Sequence, residues 1–410
     1  MASSGKSVSP RSGGAWIALW IAVGCVPPAR STRTEVEPPP AKSSPIDVES
    51  ASVAKVPSIA ARIAENPFAF YRYVAGPFST AVCEHFGTRT VAMPTVSLHG
   101  DLHVEQYAVA DDGFGIVDFD DATSGPPVVD WLRFGSSLWF ATDFDDAASE
   151  SALARFIEGY RRGVESPGSV EAAAEPQVVT RVRAAFHGSP TEWLDGVTAM
   201  IRPIAGVDEA TMMRAKRLYS DAMLAQNPEL GEAFFGLKAG GMLEMGIGSA
   251  HERKFLVRVE GPSPAANDDL ILEKKEMKKH LVGLCSRGRR ADPARVVRAE
   301  EKFSRTPQRL LGYVTVDGAE FYVHTWRVHY TEISISDIAS PAELSEVAFD
   351  IGLQLGRGHP IFPITTEAGK LERAALLASL DAVEPELAPT SRDLARRVVL
   401  GYERFRSQRD

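Results

Sequence analysis

Two acidic clusters separated by a minimal β-hairpin constrain this chain more than anything else in it. The first is His99-Gly100-Asp101-Leu102-His103-Val104-Glu105-Gln106, and the second is Val117-Asp118-Phe119-Asp120-Asp121. Thr95 to Leu98, ahead of the first, is short and β-prone. Between the clusters run Tyr107 to Ala110, an Asp111-Asp112-Gly113 turn and Gly115-Ile116-Val117, which reads as strand, tight turn, strand. A hairpin of that size sets the two loops side by side, so their carboxylates and amide converge. Such oxygen donors suit a hard divalent cation, Mg²⁺ or Mn²⁺. Acids at strand ends can also be plain turn formers. That reading leaves unexplained why two such loops flank one hairpin and why Gly125-Pro126-Pro127-Val128-Val129-Asp130 follows them.

Further along, the character changes near Leu237. Gly240 to Ser249 is a strand running into a glycine turn at Gly246-Ile247-Gly248-Ser249. Lys254 to Glu260 alternates as a second strand, and Leu270 to Met277 forms a third that carries Lys274 and Lys275. A helix starts at Pro293 with Asp292 as its cap. Two more strands, Leu310 to Val316 and Glu320 to Trp326, are joined by Asp317-Gly318. Strand, glycine turn, strand, lysine strand, helix, strand, strand is the order of a kinase nucleotide lobe. There the glycines admit backbone N–H groups to phosphates, and a lysine grips them. On the helix, Val296, Glu300 and Phe303 share a face, which points Glu300 inward.

The rest reads as helix. Two helical patterns flank Asn66-Pro67-Phe68; Trp131 to Phe140, Ser151 to Val164, Gln177 to Met200 and Asp208 to Gln226 follow, then Pro341 to Gly358 and Glu367 to Arg406. A chain of 410 residues, 44% hydrophobic, buries a full core and divides into two lobes. Its net charge of −9, without a basic stripe, excludes nucleic acid as a partner.

The N-terminus reads as a targeting segment. Lys6 and Arg11 precede the apolar run Ala15 to Val23, too short to span a bilayer but of signal-peptide length. It ends Ala22-Val23-Gly24-Cys25, similar to a lipoprotein cleavage box with Cys25 as the acylated residue; an ordinary signal peptide or a short membrane anchor is the alternative. Residues 26–46, rich in Pro, Ser and Thr, are expected to be a disordered tether. The sequence leaves open whether Cys83 and Cys285 pair. The expected protein is therefore exported and held at the envelope only through its N-terminal lipid or signal segment.

His-Gly-Asp-Leu-His-x-x-Gln followed by Val-Asp-Phe-Asp-Asp resembles the catalytic and metal loops of aminoglycoside- and choline-kinase-like phosphotransferases. The chain is closer still to a bacterial family catalogued as domain of unknown function 2252, itself kinase-like. The resemblance runs through Asn66 to Arg72, the two acidic loops, Gly125 to Ser137, Gly246 to Ser249 and Leu272 to Met277. It implies ATP with Mg²⁺ or Mn²⁺ as cofactors. Asp101 would be the catalytic base, assisted by His99 and His103, with Gln106, Asp118 and Asp120 on the metal and Asp130 bracing the loop. Gly246, Gly248, Ser249 and Lys275 would meet the nucleotide, with Glu300 as the partner of Lys275. His251 stands where the family has a third glycine, and Tyr73 follows Arg72 where the family has glycine.

The helix ending at His359 resembles the one that in ordinary kinases runs straight into His-Gly-Asp. The expectation is therefore an α+β, protein-kinase-like two-lobe fold, circularly permuted and carrying an extra helical subdomain. Residues 47–235 would form the catalytic-loop and helical lobe, 236–330 the nucleotide sheet, and 331–410 the helices completing the first lobe. Three functions fit: a phosphotransferase acting on a small-molecule hydroxyl, a metal-dependent hydrolase ligating through His99, Asp101, His103 and Asp118, and an inactive kinase-fold binding protein.

Overall fold

Large aromatic residues at helical spacing (Trp131, Phe134, Trp139, Phe156 and Tyr160) are fully buried and form the centre of the helical part of the molecule. The computed structural model describes residues 44–48, 57–243, 253–277, 285, 292 and 294–409. The targeting segment with Cys25, and the glycine turn at Gly246, Gly248 and Ser249 with His251, lie outside the described residues. The fold is mixed α+β. Its principal helices are α1 (Pro67–Tyr73), α2 (Ala75–Phe86), α3 (Val128–Ala141), α4 (Asp146–Glu165), α5 (Gln177–Ala184), α6 (Pro190–Ala199), α7 (Val207–Gln226), α8 (Ala294–Phe303), α9 (Pro341–Gly358) and α10 (Glu367–Ser407). No described helix is long and apolar enough to cross a membrane.

Helix α1 begins as its sequence dictates: the Asn66 side chain accepts the Ala69 N–H and Pro67 occupies the first turn. The helical stretch expected over 177–200 is two helices. Gly188 adopts a left-handed conformation, and Ser189 with Glu192 forms a capping box that starts α6 afresh. Residues 44–46 of the expected tether are among those described. Ile46 is buried, donates its N–H to Arg397 O at 3.0 Å, and docks the chain on α10, because one apolar side chain there finds a core.

Helices α4 and α9 touch backbone to backbone. Gly159 and Gly163 on one face Gly352 and Gly356 on the other, and a methyl on any of the four would overlap a carbonyl oxygen across the contact. Two Gly-x-x-x-Gly pairs thus fix where the C-terminal end of α9 lies.

Three sheets accompany the helices. β1 (Val96–Leu98) pairs with β4 (Thr123–Gly125), and β2 (Tyr107–Ala110) forms the two-residue hairpin with β3 (Gly113–Ile116), joined on its other edge by β10 (Thr331–Glu332). The third sheet is antiparallel, in the order β5 (Leu237–Met242), β6 (Lys254–Val259), β7 (Leu270–Glu276), β9 (Ala319–Trp326), β8 (Gly312–Val316), with α8 between β7 and β8 in sequence. One face of it packs Phe255, Val257, Leu272, Phe321 and Val323 under Met212, Ala215 and Tyr219 of α7. The other face carries Leu256 and Ile271 under Leu194 and Val197 of α6, then turns polar at Glu273 and Lys275. Cys83 of α2 is disulfide-bonded to Cys285, in the connection between β7 and α8.

Candidate functional site

Asp130, in the first turn of α3, is fully buried and organises the first acidic loop. Its Oδ2 accepts the His99 N–H at 2.7 Å and its Oδ1 the Gly100 N–H at 2.9 Å. His359 caps α9 and brings Nε2 to 3.1 Å from the same Oδ2, across 229 residues of sequence. Tyr160 of α4 lies 2.8 Å from His359 Nδ1. Burial holds the His359 imidazole below its ordinary range, more than Asp130 raises it. A neutral ring protonated on Nε2 satisfies both neighbours, donating to Asp130 and accepting from the Tyr160 hydroxyl.

One turn further along α3, Arg133 donates Nε and Nη2 to Asp101 Oδ1 at 2.9 and 2.7 Å. The guanidinium lies 3.7 Å from the Tyr71 ring centroid and is almost fully buried. Helix α3 therefore supports the loop twice, holding its backbone through Asp130 and the Asp101 carboxylate through Arg133. The sequence reading missed Arg133. Its i, i+3 spacing from Asp130 was the signal, since that spacing puts both on one helix face.

The two histidines expected beside Asp101 have other work. His99 is fully enclosed, with Nε2 3.0 Å from Val117 O and Nδ1 accepting the Asp101 N–H at 3.4 Å, so it ties one acidic loop to the other. The buried His103 packs edge-on to Phe68, and its Nδ1 has no hydrogen-bond partner. Burial, then Arg72, Arg133 and His99, hold it well below the ordinary histidine range, which keeps it neutral. Both rings are enclosed, His99 bridging the two acidic loops and His103 packed under Phe68. Arg72 is engaged by Glu105 at 2.9 Å.

Gly100 has φ 88°, and a methyl there would overlap the Asp121 carbonyl, so only glycine lets the two loops close on each other. Asp118 is itself left-handed at φ 60°, a conformation that aspartate tolerates better than most residues. The lysine from β7 arrives here. Lys275 Nζ lies 3.0 Å from Asp118 Oδ1 and also ion-pairs with Asp120, while Gln106 Nε2 lies 3.4 Å from Asp118 Oδ2. Burial alone would lower the Lys275 ammonium, but Asp118, Asp120 and Glu273 outweigh it and hold the group well above the ordinary lysine range. Glu273 beneath it accepts the Trp326 indole N–H at 2.7 Å and faces Lys254 at 3.3 Å. Burial works against its charge, yet Lys254, His324 and Lys275 bring the carboxyl below the ordinary range.

Gln106, Asp118, Asp120 and Lys275 thus form one contact group, next to Asp101 on its Arg133 support. Glu300 does not join it, which corrects the expected Lys275 pairing. It points inward from α8 as its periodicity requires, but its Oε1 accepts the Gln308 N–H at 2.7 Å, and the lysine is taken by the nearer aspartates. Among the described residues no three His, Cys, Asp or Glu side chains are gathered to hold a metal. The oxygen donors here are the carboxylates of Asp118 and Asp120, with the Gln106 amide beside them, its nitrogen on Asp118. This set suits Mg²⁺, which takes one or two carboxylates and completes its shell with water and substrate phosphates. It does not suit a histidine-rich transition-metal centre.

Two segments of the chain, 53–179 and 215–408, match the family model described as an uncharacterized protein conserved in bacteria (DUF2252). No curated protein and no solved structure matches the chain.

Proposed function

The chain belongs to the DUF2252 family, and from that premise we propose that it is a kinase-like phosphotransferase. It would use ATP and Mg²⁺ or Mn²⁺ to phosphorylate a hydroxyl of a small-molecule acceptor. One observation carries the reading: Lys275 lies 157 residues from Asp118 in sequence and 3.0 Å from it in space. A nucleotide's outer phosphates must touch both a lysine and the metal-bearing acids, so the two have to share a cleft. The sheet order β5-β6-β7-β9-β8 with α8 inserted after the lysine strand supports a nucleotide lobe. The fastening of His359 to the loop of His99 supports a permuted chain order, with the helix that feeds the catalytic loop placed last.

In this reading Asp118 and Asp120, with the Gln106 amide, hold the metal, which supplies charge neutralisation at the transferred phosphoryl group. Lys275, which pairs with Asp118 and Asp120, would be the residue to meet phosphate oxygens. Asp101, fixed by Arg133, accepts the proton of the acceptor hydroxyl. Arg133 keeps that carboxylate from rotating away, and Asp130 with His359 sets the height of the loop. Calorimetry should find ATP binding only with Mg²⁺ or Mn²⁺ present, and Asp118→Ala should abolish it. Asp101→Asn should leave binding intact and lower transfer by about 10²–10⁴-fold. No nucleotide affinity with either metal would sink the proposal.

That outcome would favour a binding protein built on the same fold, anchored at the envelope through Cys25. Lys275 pairs with both aspartates and neutralises them, which is the observation on that side. The Cys83–Cys285 disulfide supports the exported location common to both readings.

A further inference from the structure

The back of the second acidic loop carries the opposite charge. On α8, Arg295, Arg298 and Lys302 recur at i, i+3 and i+7 and so share a stripe, while Val296, Glu300 and Phe303 are buried on the inner face. The stripe borders a cavity of about 200 Å³, whose far wall carries Ser97 of β1 and Thr123 and Ser124 of β4. Lys302 Nζ donates to Ser97 Oγ at 3.1 Å. Arg295 donates Nη1 to the Ala122 carbonyl at 2.6 Å, and its enclosed Nε and Nη2 have no hydrogen-bond partner. Among the described lining residues Asp292 is the one carboxylate, and it caps Ala294 N at 3.1 Å and pairs with Arg298. Glu372 approaches Lys302 from α10, and Asp121 and Asp120 approach Arg295 from the loop.

We propose that this cavity binds a small ligand bearing a phosphoryl or sulfate group. A tetrahedral anion offers three terminal oxygens, enough to meet a guanidinium, an ammonium and hydroxyl donors at once, whereas a carboxylate offers two. At roughly 30 Å³ per water molecule, the volume admits such a group with a few further atoms. Burial lowers both Arg295 and Lys302 from their ordinary ranges, so an incoming negative charge has most to gain there. Thr123 and Ser124 follow Asp118 to Asp121 after Ala122 alone, and an occupant would press on the chain that carries the acidic site without entering its cleft. The assignment stands independently of the phosphotransferase reading.

Calorimetry on the whole protein, free of divalent metal and at constant ionic strength, tests it with inorganic phosphate, sulfate and glycerol phosphate as probes. Arg298→Ala, an exposed change that leaves the core alone, and the double variant with Lys302→Ala should each weaken binding at least about tenfold. Tungstate diffused into crystals should give its density between α8 and β4. Tighter binding of glycerol phosphate than of inorganic phosphate would identify an organic ester as the ligand, and the reverse order a free anion. Absence of binding by all three probes, unchanged affinity in both variants, or tungstate density at Lys275 instead would overturn the proposal.

Discussion

Lys274 and Lys275 are neighbours in β7, both buried, and they end with opposite tendencies. Lys275 faces the acidic loops, where three carboxylates raise it well above the ordinary lysine range. Lys274 faces α7, where its ammonium nitrogen has no partner and burial, aided by Lys216, lowers it to about 7. Strand alternation alone separates them. Burial is common to both, so it cannot be what decides the charge. The partners each face supplies decide it, and only one face was built to hold a cation. The apolar face under α7 admits Lys274 at a cost in stability that the polar face does not incur for Lys275.

Removing the paired lysine should therefore do the most damage. Lys275→Met removes the ion pair between Asp120 and the lysine, and the loss of such a buried partner costs about 3–5 kcal/mol. Most of that comes from Asp120, because the Asp118 side chain is 39% exposed and solvent screens it. Urea unfolding at pH 7 measures the change. The sign in pH follows from a folded pKa raised above the unfolded one: the lysine's contribution is complete below about pH 10.5 and is lost as pH rises through the higher folded value. A variant as stable as the wild type would erase the contrast between the two faces.

The opposite sign is expected next door. Lys274→Met replaces an unpaired amine with a side chain suited to the core, and should stabilise the fold by about 1–4 kcal/mol at pH 7. Here the folded pKa, about 7, lies below the usual 10.5. Wild-type stability is then fully relieved of the penalty above about 10.5 and loses ground as pH falls to about 7, by up to about 1.4 kcal/mol per pH unit. The variant should lack that slope, so the two unfolding curves should be furthest apart at and below pH 7 and meet near pH 10.5. Parallel curves would show that Lys274 finds a partner in solution.

The particular residues explain what the sequence could and could not announce. The hairpin between the acidic loops was readable because Asp111 and Asp112 can only turn between two β-prone runs, and the inner face of α8 because its period is strict. Asp130 was placed correctly as a brace for the His99 loop, but what stands behind it was not, since His359 and Tyr160 reach it only through the contact of α4 with α9. Gly159-x-x-x-Gly163 and Gly352-x-x-x-Gly356 were the local sign of that contact and passed unread. Alternation put Lys274 on the face away from the acids. It could not say that α7 would cover that face, because coverage is a tertiary fact. The pairing of Cys83 with Cys285 is of the same kind, and so is the choice of Lys275 between Glu300 and the aspartates.

That last choice gives the smallest and most discriminating effect. Glu300 keeps its carboxylate on the Gln308 N–H, and a glutamine amide oxygen can accept the same hydrogen bond. Glu300→Gln alone should therefore change stability by less than about 1 kcal/mol. Burial raises the Glu300 carboxyl above its ordinary range, as expected of an acid that no lysine neutralises. In a double-mutant cycle, Glu300→Gln with Lys275→Met should show a coupling below about 0.5 kcal/mol, the level of independent sites. The cycle of Lys275→Met with Asp120→Asn should couple by about 2 kcal/mol or more, since those two groups share one ion pair. Reversal of the two couplings would move the lysine's partner from the acidic loop to α8. The polar face of the sheet would then owe its charge to the helix packed on it, and the loop acids would be left to a metal alone.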